Sequence, residues 1–150
     1  MPKEIERKFL VINSSYHQLA SKSHNIKQGY ISANKNTTVR IRIKDDTAFI
    51  TIKGTTIGFS RDEWEYPIPL CDANEIISNL SCGKIIEKTR YIVNFKGHTW
   101  EIDEFHGAHE GLVIAEIELT DEKESFPIPS FVGEEVTGNV NYYNSILAGI

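Results

Sequence analysis

"KEIERKFLV", residues 3–11, contains the pattern that specifies the architecture of this chain. Glu4, Glu6 and Lys8 fall on alternate positions, with Ile5 between the two acids and an apolar run after them. Alternate side chains of a β-strand share one face, so one face of this strand carries two carboxylates and an ammonium. The solvated face of an antiparallel sheet explains one such row. The later strands decide between that explanation and a charged site.

Length and composition limit the classes of protein to consider. The 150 residues predict one domain over 1–150, and 40% hydrophobic residues suffice for a packed core. A net charge of −5 argues against nucleic acid and anionic membranes as partners. No apolar run approaches the roughly 20 residues that span a bilayer, and no signal peptide pattern is present. The two cysteines are expected to be reduced thiols, and the protein is expected in the cytoplasm. It is expected to be a monomer or a homodimer.

Eight short runs of alternating apolar and polar residues predict eight β-strands. They are rich in β-branched and aromatic residues, which suit a pleated, half-buried surface, and turn residues separate them. Consecutive strands most often pair with each other, so an antiparallel meander is the simplest topology. The predicted strands cover residues 4–10, 26–32, 37–44, 47–54, 60–68, 86–95, 98–105 and 111–119.

Few helices are predicted, and all of them are short. The capping residues Asn13, Asp72 and Thr120 stand at the start of three candidate segments. Acids follow Thr120 and suit the positive end of a helix dipole, and Pro127 would end that helix. The candidate helices cover residues 13–20, 71–80, 120–126 and 141–149.

The alternation of the first strand recurs along the chain. In "VRIRI", for example, Arg40 and Arg42 share one face while Val39, Ile41 and Ile43 share the other. The polar faces contain paired charges and little of the Ser, Thr and Gln that an ordinary wet face carries. The charged positions are the acids Glu4, Glu6, Glu63, Glu65, Glu101, Asp103, Glu116 and Glu118, and the bases Lys8, Arg40, Arg42, Lys53, Lys88 and Arg90.

A closed barrel accounts for this pattern. The predicted fold class is mainly β (α+β), with a closed eight-stranded antiparallel β-barrel, charged faces inward and a few helices packed outside. Charges in such a lumen have to be paired or bound to something. Rows of Lys and Arg bind phosphate oxygens, and clustered carboxylates bind hard divalent cations. A polyphosphate with one or two metal ions satisfies both sets.

The motif "EIERKFL" resembles the ExExK signature of the CYTH superfamily, the triphosphate tunnel metalloenzymes. The segments "QGYI", "VRIRI", "TIKG", "SRDEWEYPI", "IEKTRY", "WEIDEF", "AEIEL" and "VGEEVTG" follow in the order of that family. The resemblance covers nearly the whole chain and is greatest to the short, stand-alone bacterial members. It implies an eight-stranded tunnel with a charged lumen and a small-molecule substrate that contains a linear triphosphate.

The resemblance also implies roles for individual residues at matching positions. Tyr30 and Lys88 would be catalytic, with Tyr30 as the proton acceptor beside the ammonium of Lys88. A lid or plug residue is the alternative for Tyr30. Glu63 and Glu65 would orient the bases or the attacking water. Mg²⁺ or Mn²⁺ would be held by Glu4, Glu6, Glu116 and Glu118, with Glu101 and Asp103 in support, and the phosphates by Lys8, Arg40, Arg42, Lys53, Lys88 and Arg90.

The expected activity is metal-dependent hydrolysis of inorganic tripolyphosphate or of a nucleoside triphosphate. Catalysis of phosphoryl transfer is mostly positioning and electrostatic stabilisation, which a charged tunnel can supply. A class IV-type adenylate cyclase and a thiamine triphosphatase are alternatives that would use the same tunnel. The cyclase ranks below the hydrolase because the sequence has no clear motif for a base and ribose pocket.

Three further hypotheses assign the chain no catalytic activity. A non-catalytic polyphosphate-binding or nucleotide-binding module is favoured by one departure from the family, since Val140 and Asn141 replace a usual basic pair. A structural domain with one wet sheet face predicts no stabilisation by triphosphate. A lipocalin-like carrier fits poorly, because the register that gives an apolar lumen puts the charged rows outside.

Overall fold

The computed structural model describes residues 2–34 and 36–149, and nine β-strands make up most of the regular structure in that part. The strands are β1 Lys3–Val11, β2 Lys22–Ala33, β3 Thr38–Lys44, β4 Thr47–Lys53, β5 Ser60–Ile68, β6 Cys82–Phe95, β7 His98–Phe105, β8 Val113–Glu118 and β9 Val132–Glu135. The helices are α1 Tyr16–Leu19, α2 Leu70–Leu80 and α3 Asn144–Leu147, with single 3-10 turns at Gly107–His109 and Val140–Tyr142.

Eight strands close into an antiparallel barrel, which confirms the predicted architecture. The order around the ring is β1, β5, β4, β3, β2, β6, β7 and β8, and β8 pairs with β1 again. The contact between β1 and β5 is short and includes the register pairs Lys3 with Asp62 and Glu4 with Arg61. Beyond that contact, β9 pairs with β1 at Phe9 and Val11.

The strand order differs from a simple meander in two places, because β1 does not pair with β2 and β5 does not pair with β6. Strands β2 to β5 pair in sequence, as do β6 to β8. However, β2 pairs with β6 instead of β1, and β1 joins the two ends of the ring. This arrangement places the two acids of β1 between β5 and β8, which are about 45 residues apart in the sequence.

The apolar strand faces point outward and are covered by helices and loops. On one side, Trp100 and Phe131 are fully buried and pack with Tyr16 of α1. On another side, Ile77 of α2 packs against Ile41 of β3. Complete burial of a large apolar side chain contributes roughly 1.5–3 kcal/mol, so these outer layers stabilise the strands that carry the charged rows.

The helix predicted over 120–126 does not form. The carboxylate of Glu124 instead accepts hydrogen bonds from the backbone N–H of Thr120 at 2.8 Å and from its hydroxyl at 2.7 Å. The carboxylate of Asp121 accepts one from the N–H of Lys123 at 2.7 Å. Such local bonds compete with helix formation, and they build a compact turn.

The other three predicted helices form with different ends. The first is reduced from 13–20 to Tyr16–Leu19. The second begins at Leu70 with Pro69 as its N-cap, so Asp72 lies in the first turn and is not the cap. The last, predicted over 141–149, divides into a 3-10 turn and α3. Within residues 2–34 and 36–149, no helix is both long and apolar enough to cross a membrane.

Candidate active site

The inward faces of the strands line a cavity of about 300 Å³. Strand alternation explains the lining, because every second side chain of each strand points to the same side of the barrel wall. All the predicted site residues except Asp103 line this cavity. They are Glu4, Glu6, Lys8, Tyr30, Arg40, Arg42, Lys53, Glu63, Glu65, Lys88, Arg90, Glu101, Glu116 and Glu118.

One side of the cavity is acidic, and its carboxylates repel one another. Glu6 of β1 lies opposite Glu118 of β8 in the strand register. Burial and the nearby charges of Glu116 and Glu4 raise the pKa of Glu6 to about 8. Burial also raises the pKa of Glu118, and the charge of Glu4 adds to the effect. Carboxylates in these surroundings favour any cation that can reach them.

An internal ammonium partly neutralises this acidic side. Lys53 Nζ lies 3.0 and 2.9 Å from the two carboxylate oxygens of Glu4 and 3.5 Å from a carboxylate oxygen of Glu63. Burial still raises the pKa of Glu4 against the attraction of Lys53. In the described part of the chain, no three Asp, Glu, His or Cys side chains already converge as a metal site.

The acidic side nevertheless has the donor chemistry of a site for a divalent metal ion. Mg²⁺ and similar hard cations take oxygen ligands and use one or two carboxylates together with water and phosphate. Glu4, Glu6 and Glu118 supply such oxygens, and the repulsion among them would be relieved by a cation. Binding would require Lys53 to release Glu4, so the ammonium and the metal ion would compete for the same carboxylate.

Lys8 and Glu116 meet where the acidic side joins the basic side. The ammonium of Lys8 lies 3.5 Å from Oε1 of Glu116 and 5.5 Å from the ring centre of Tyr143. Burial opposes ionisation of Glu116, but the attraction of Lys8 prevails and lowers the pKa of Glu116 to about 2. Glu116 is therefore a carboxylate already paired with a base.

The opposite side of the cavity is basic. The NH2 group of Arg40 lies 3.2 Å from the Thr51 hydroxyl and 3.6 Å from a Glu65 oxygen. Arg42 lies next to it on β3, and burial lowers the pKa of Arg42 to about 9, helped by the charges of Arg40 and Arg90. These close positive charges favour an anion in the same way that the acidic side favours a cation.

Asp103 is buried beside the cavity without lining it, and it supports two of the bases. Its Oδ2 is 2.7 Å from Lys88 Nζ, and Arg90 donates to both its oxygens at 2.7 and 2.9 Å. Burial opposes ionisation of Asp103, but Arg90 and Lys88 outweigh it and hold its pKa well below the ordinary value. In this geometry the partners of Asp103 are bases, and its role in supporting a metal ion stays a prediction. Glu101 does line the cavity and accepts a bond of 3.2 Å from Arg90.

The sequence-based site omitted several residues that the structure places on the inner face or in the cavity lining, among them Gln28, Thr51, Arg61 and Asn144. Thr51 and Arg61 continue charged rows by strand alternation, and Gln28 shares a strand face with Tyr30, so the pattern could have found them. Asn144 belongs to α3 and has no such signal. Its Oδ1 accepts from Lys88 at 2.8 Å and from Gln28 at 3.2 Å, which brings the last helix into the lumen.

The departure from the family pattern at positions 140 and 141 lies away from the cavity. Val140 is 53% exposed, and Asn141 is exposed as well. Neither contributes to the cavity lining, whereas Tyr143, Asn144 and Ser145 do. Val140 and Asn141 therefore contribute nothing to the lining of the site in this chain.

Comparison with known proteins agrees with this geometry. The chain is 51% identical over 147 residues to an inorganic triphosphatase of Acetivibrio thermocellus, which covers 98% of this chain and 94% of the relative. It is 34% identical over 149 residues to an inorganic triphosphatase of Nitrosomonas europaea, covering 97% and 96%. A crystal structure of an inorganic triphosphatase matches with a TM-score of 0.69 at 30% identity, over 99% of this chain and 95% of that one. Since the CYTH domain model matches residues 2–143, this chain belongs to the CYTH family.

Proposed function

We propose that this protein hydrolyses inorganic tripolyphosphate with the help of Mg²⁺ or Mn²⁺. The observation that carries the proposal is the division of one cavity into an acidic side around Glu6 and a basic side around Arg42. A linear triphosphate with a divalent cation is complementary to both sides at once. The relatives that share 51% and 34% identity are inorganic triphosphatases, which supports the same substrate.

The acidic side would hold the metal ion. Glu4, Glu6 and Glu118 are the carboxylates proposed to bind it, with Glu101 and Glu116 beside them. A divalent cation bound there would neutralise charge on the phosphate oxygens during phosphoryl transfer. The protein contributes by keeping these carboxylates close together on one side of the lumen.

The basic side would hold the phosphates. Guanidinium groups bind phosphate oxygens in a bidentate way, and preorganised groups lose little entropy on binding. Arg40 is held by Thr51 and Glu65, and Arg90 by Asp103 and Glu101. These contacts fix the direction of each guanidinium before the substrate arrives.

Tyr30 and Lys88 are proposed to act at the reacting phosphate. Both line the cavity, and they belong to one hydrogen-bond network through Gln28 and Asn144. Burial lowers the pKa of Lys88 to about 7, against the attraction of Asp103. A water molecule would attack the terminal phosphorus in line and lose its proton towards this pair, while pyrophosphate leaves.

The proposal is tested by measuring phosphate release from tripolyphosphate, ATP and thiamine triphosphate, each with Mg²⁺, Mn²⁺ or EDTA. The expected result is metal-dependent release that is fastest with tripolyphosphate. Faster release from thiamine triphosphate would assign a different substrate, and cyclic AMP formed from ATP would indicate a cyclase. Stabilisation by tripolyphosphate without any phosphate release would indicate a non-catalytic binding module.

A further inference from the structure

Gln28 is a neutral, buried side chain in contact with residues that line the charged lumen, and the roles proposed above assign it none of its own. Its side chain is fully buried. On the wall of the barrel, Gln28 of β2 lies directly opposite Arg42 of β3 in the strand register. Arg40 and Arg90, in contrast, each have a carboxylate partner in Glu65 and Asp103.

Three hydrogen bonds determine the orientation of the Gln28 amide. Arg42 Nε donates to Gln28 Oε1 at 2.8 Å. A guanidinium has only donors, so the oxygen of the amide has to face Arg42 and its nitrogen has to face away. That nitrogen donates to the Tyr30 hydroxyl at 3.0 Å and to Asn144 Oδ1 at 3.2 Å.

Gln28 therefore orients the guanidinium of Arg42 without neutralising its charge. Among the residues that the structure describes, Arg42 makes no ion pair with a carboxylate, and Gln28 is its side-chain hydrogen-bond partner. The bond uses Nε and leaves the two terminal nitrogens of the guanidinium for another acceptor. A carboxylate in place of the amide would hold Arg42 equally well but would cancel the charge that attracts an anion.

We propose that Gln28 is a positioning residue for anion binding, which directs the guanidinium of Arg42 towards a phosphate group while leaving its charge available. The amide nitrogen extends the same arrangement to Tyr30, whose hydroxyl accepts from it. This inference rests on the proposed function for the identity of the anion, which is taken to be tripolyphosphate.

The sharpest test is Gln28→Glu, which keeps the shape and the contact with Arg42 but adds a negative charge. The Kd of tripolyphosphate is measured by calorimetry in EDTA, so that no turnover is needed, and kcat and KM are measured with Mg²⁺. We expect the Kd to rise about tenfold or more relative to the wild type. Gln18→Glu, on the exposed surface of α1, is the matched control for net charge.

A second variant separates positioning from other effects. Gln28→Met removes the hydrogen bond to Arg42 without adding charge and is expected to raise the Kd. In an Arg42→Met background, Gln28→Met is expected to have no further effect, because its action passes through Arg42. This cycle also serves as the test if Gln28→Glu does not fold.

The possible failures are distinguishable. Tripolyphosphate binding by Gln28→Glu that is as tight as in wild type and in Gln18→Glu would overturn the positioning role. Additive losses in the Gln28→Met and Arg42→Met cycle would overturn it as well. A wild-type protein that binds tripolyphosphate but releases no phosphate would contradict the proposed function, while the binding cycle would still test the role of Gln28.

Discussion

The ammonium of Lys88 lies 2.7 Å from Oδ2 of Asp103, and both side chains are only 1% exposed. Arg90 binds the same carboxylate through two nitrogens. One buried acid therefore supports two bases that line the cavity. Desolvation makes such groups costly, and they are tolerated only because each charge has a partner.

Asp103→Asn is expected to destabilise the protein strongly. The substitution keeps the shape but leaves Lys88 and Arg90 without their buried counter-charge. Removing one partner of a buried ion pair typically costs about 3–5 kcal/mol of unfolding free energy. Urea denaturation measures this change, with Asp46→Asn in an exposed turn as the control. Equal stability of the two variants would show that Asp103 is not the group that compensates these bases.

Glu6→Gln is expected to stabilise the metal-free protein at alkaline pH. The pKa of Glu6 is about 8 in the folded protein, against roughly 4.3 in an unfolded chain. The folded state therefore binds an extra proton between these values, and stability falls as the pH rises through that range. Above pH 8 the cost is on the order of a few kcal/mol, and the amide removes it.

Melting temperatures in EDTA check this prediction for Glu6. At pH 8.5 the Gln variant should melt several degrees above wild type, and near pH 4 the two should differ little, because Glu6 is then mostly protonated in both the folded and the unfolded state. Glu75→Gln, on the exposed surface of α2, is the control. A variant that melts below wild type at pH 8.5 would mean that Glu6 is not under repulsion from its neighbours.

Lys53→Met is expected to increase the affinity for a divalent cation in the absence of substrate. The ammonium of Lys53 binds both oxygens of Glu4 and therefore competes with a metal ion for that carboxylate. Without it, the acidic side gains net negative charge and a free ligand. Titration calorimetry with Mn²⁺ measures the change, and Lys84→Met on the exposed surface is the control. Weaker Mn²⁺ binding by the Lys53 variant would place the metal elsewhere.

Thr51→Val is expected to weaken substrate binding and to lower the stability of the fold modestly. The Thr51 hydroxyl accepts from Arg40 at 3.2 Å and donates to Glu65 at 2.7 Å, so it fixes the direction of the guanidinium. Its loss should raise KM for tripolyphosphate several-fold and lower stability by about 1–2 kcal/mol. Steady-state kinetics measure the KM, and Thr99→Val, at an exposed strand position, is the control. An unchanged KM would show that Arg40 is held without Thr51.

The barrel and the lining of its cavity were predictable because both depend on a period of two. Arg40 and Arg42 face the same way in any regular strand, and the same rule applies to Glu63 and Glu65. Eight alternating strands, seven of them with charged residues on one face, fit a closed barrel with those faces inward. The rule does not show which rows become neighbours, so the pairing of β2 with β6 was not predicted.

Features that depend on tertiary contacts could not be predicted. Val132–Glu135 is short and lacks a clear alternating pattern, and it becomes a strand because β1 provides an edge. Residues 120–126 have the composition of a helix start, but Glu124 bonds to Thr120 instead. Asn144 enters the lumen because the last helix folds back against the barrel. None of these has a sequence period that marks it.

The central claim is that the charged lumen is the site of metal-dependent hydrolysis of tripolyphosphate. The most direct measurement compares phosphate release by wild type, Glu4→Gln/Glu6→Gln and Glu75→Gln at saturating tripolyphosphate and Mg²⁺. We predict that the lumen variant loses at least about a hundredfold in rate while remaining folded, and that Glu75→Gln keeps the wild-type rate. Full metal-dependent activity in Glu4→Gln/Glu6→Gln would contradict the account.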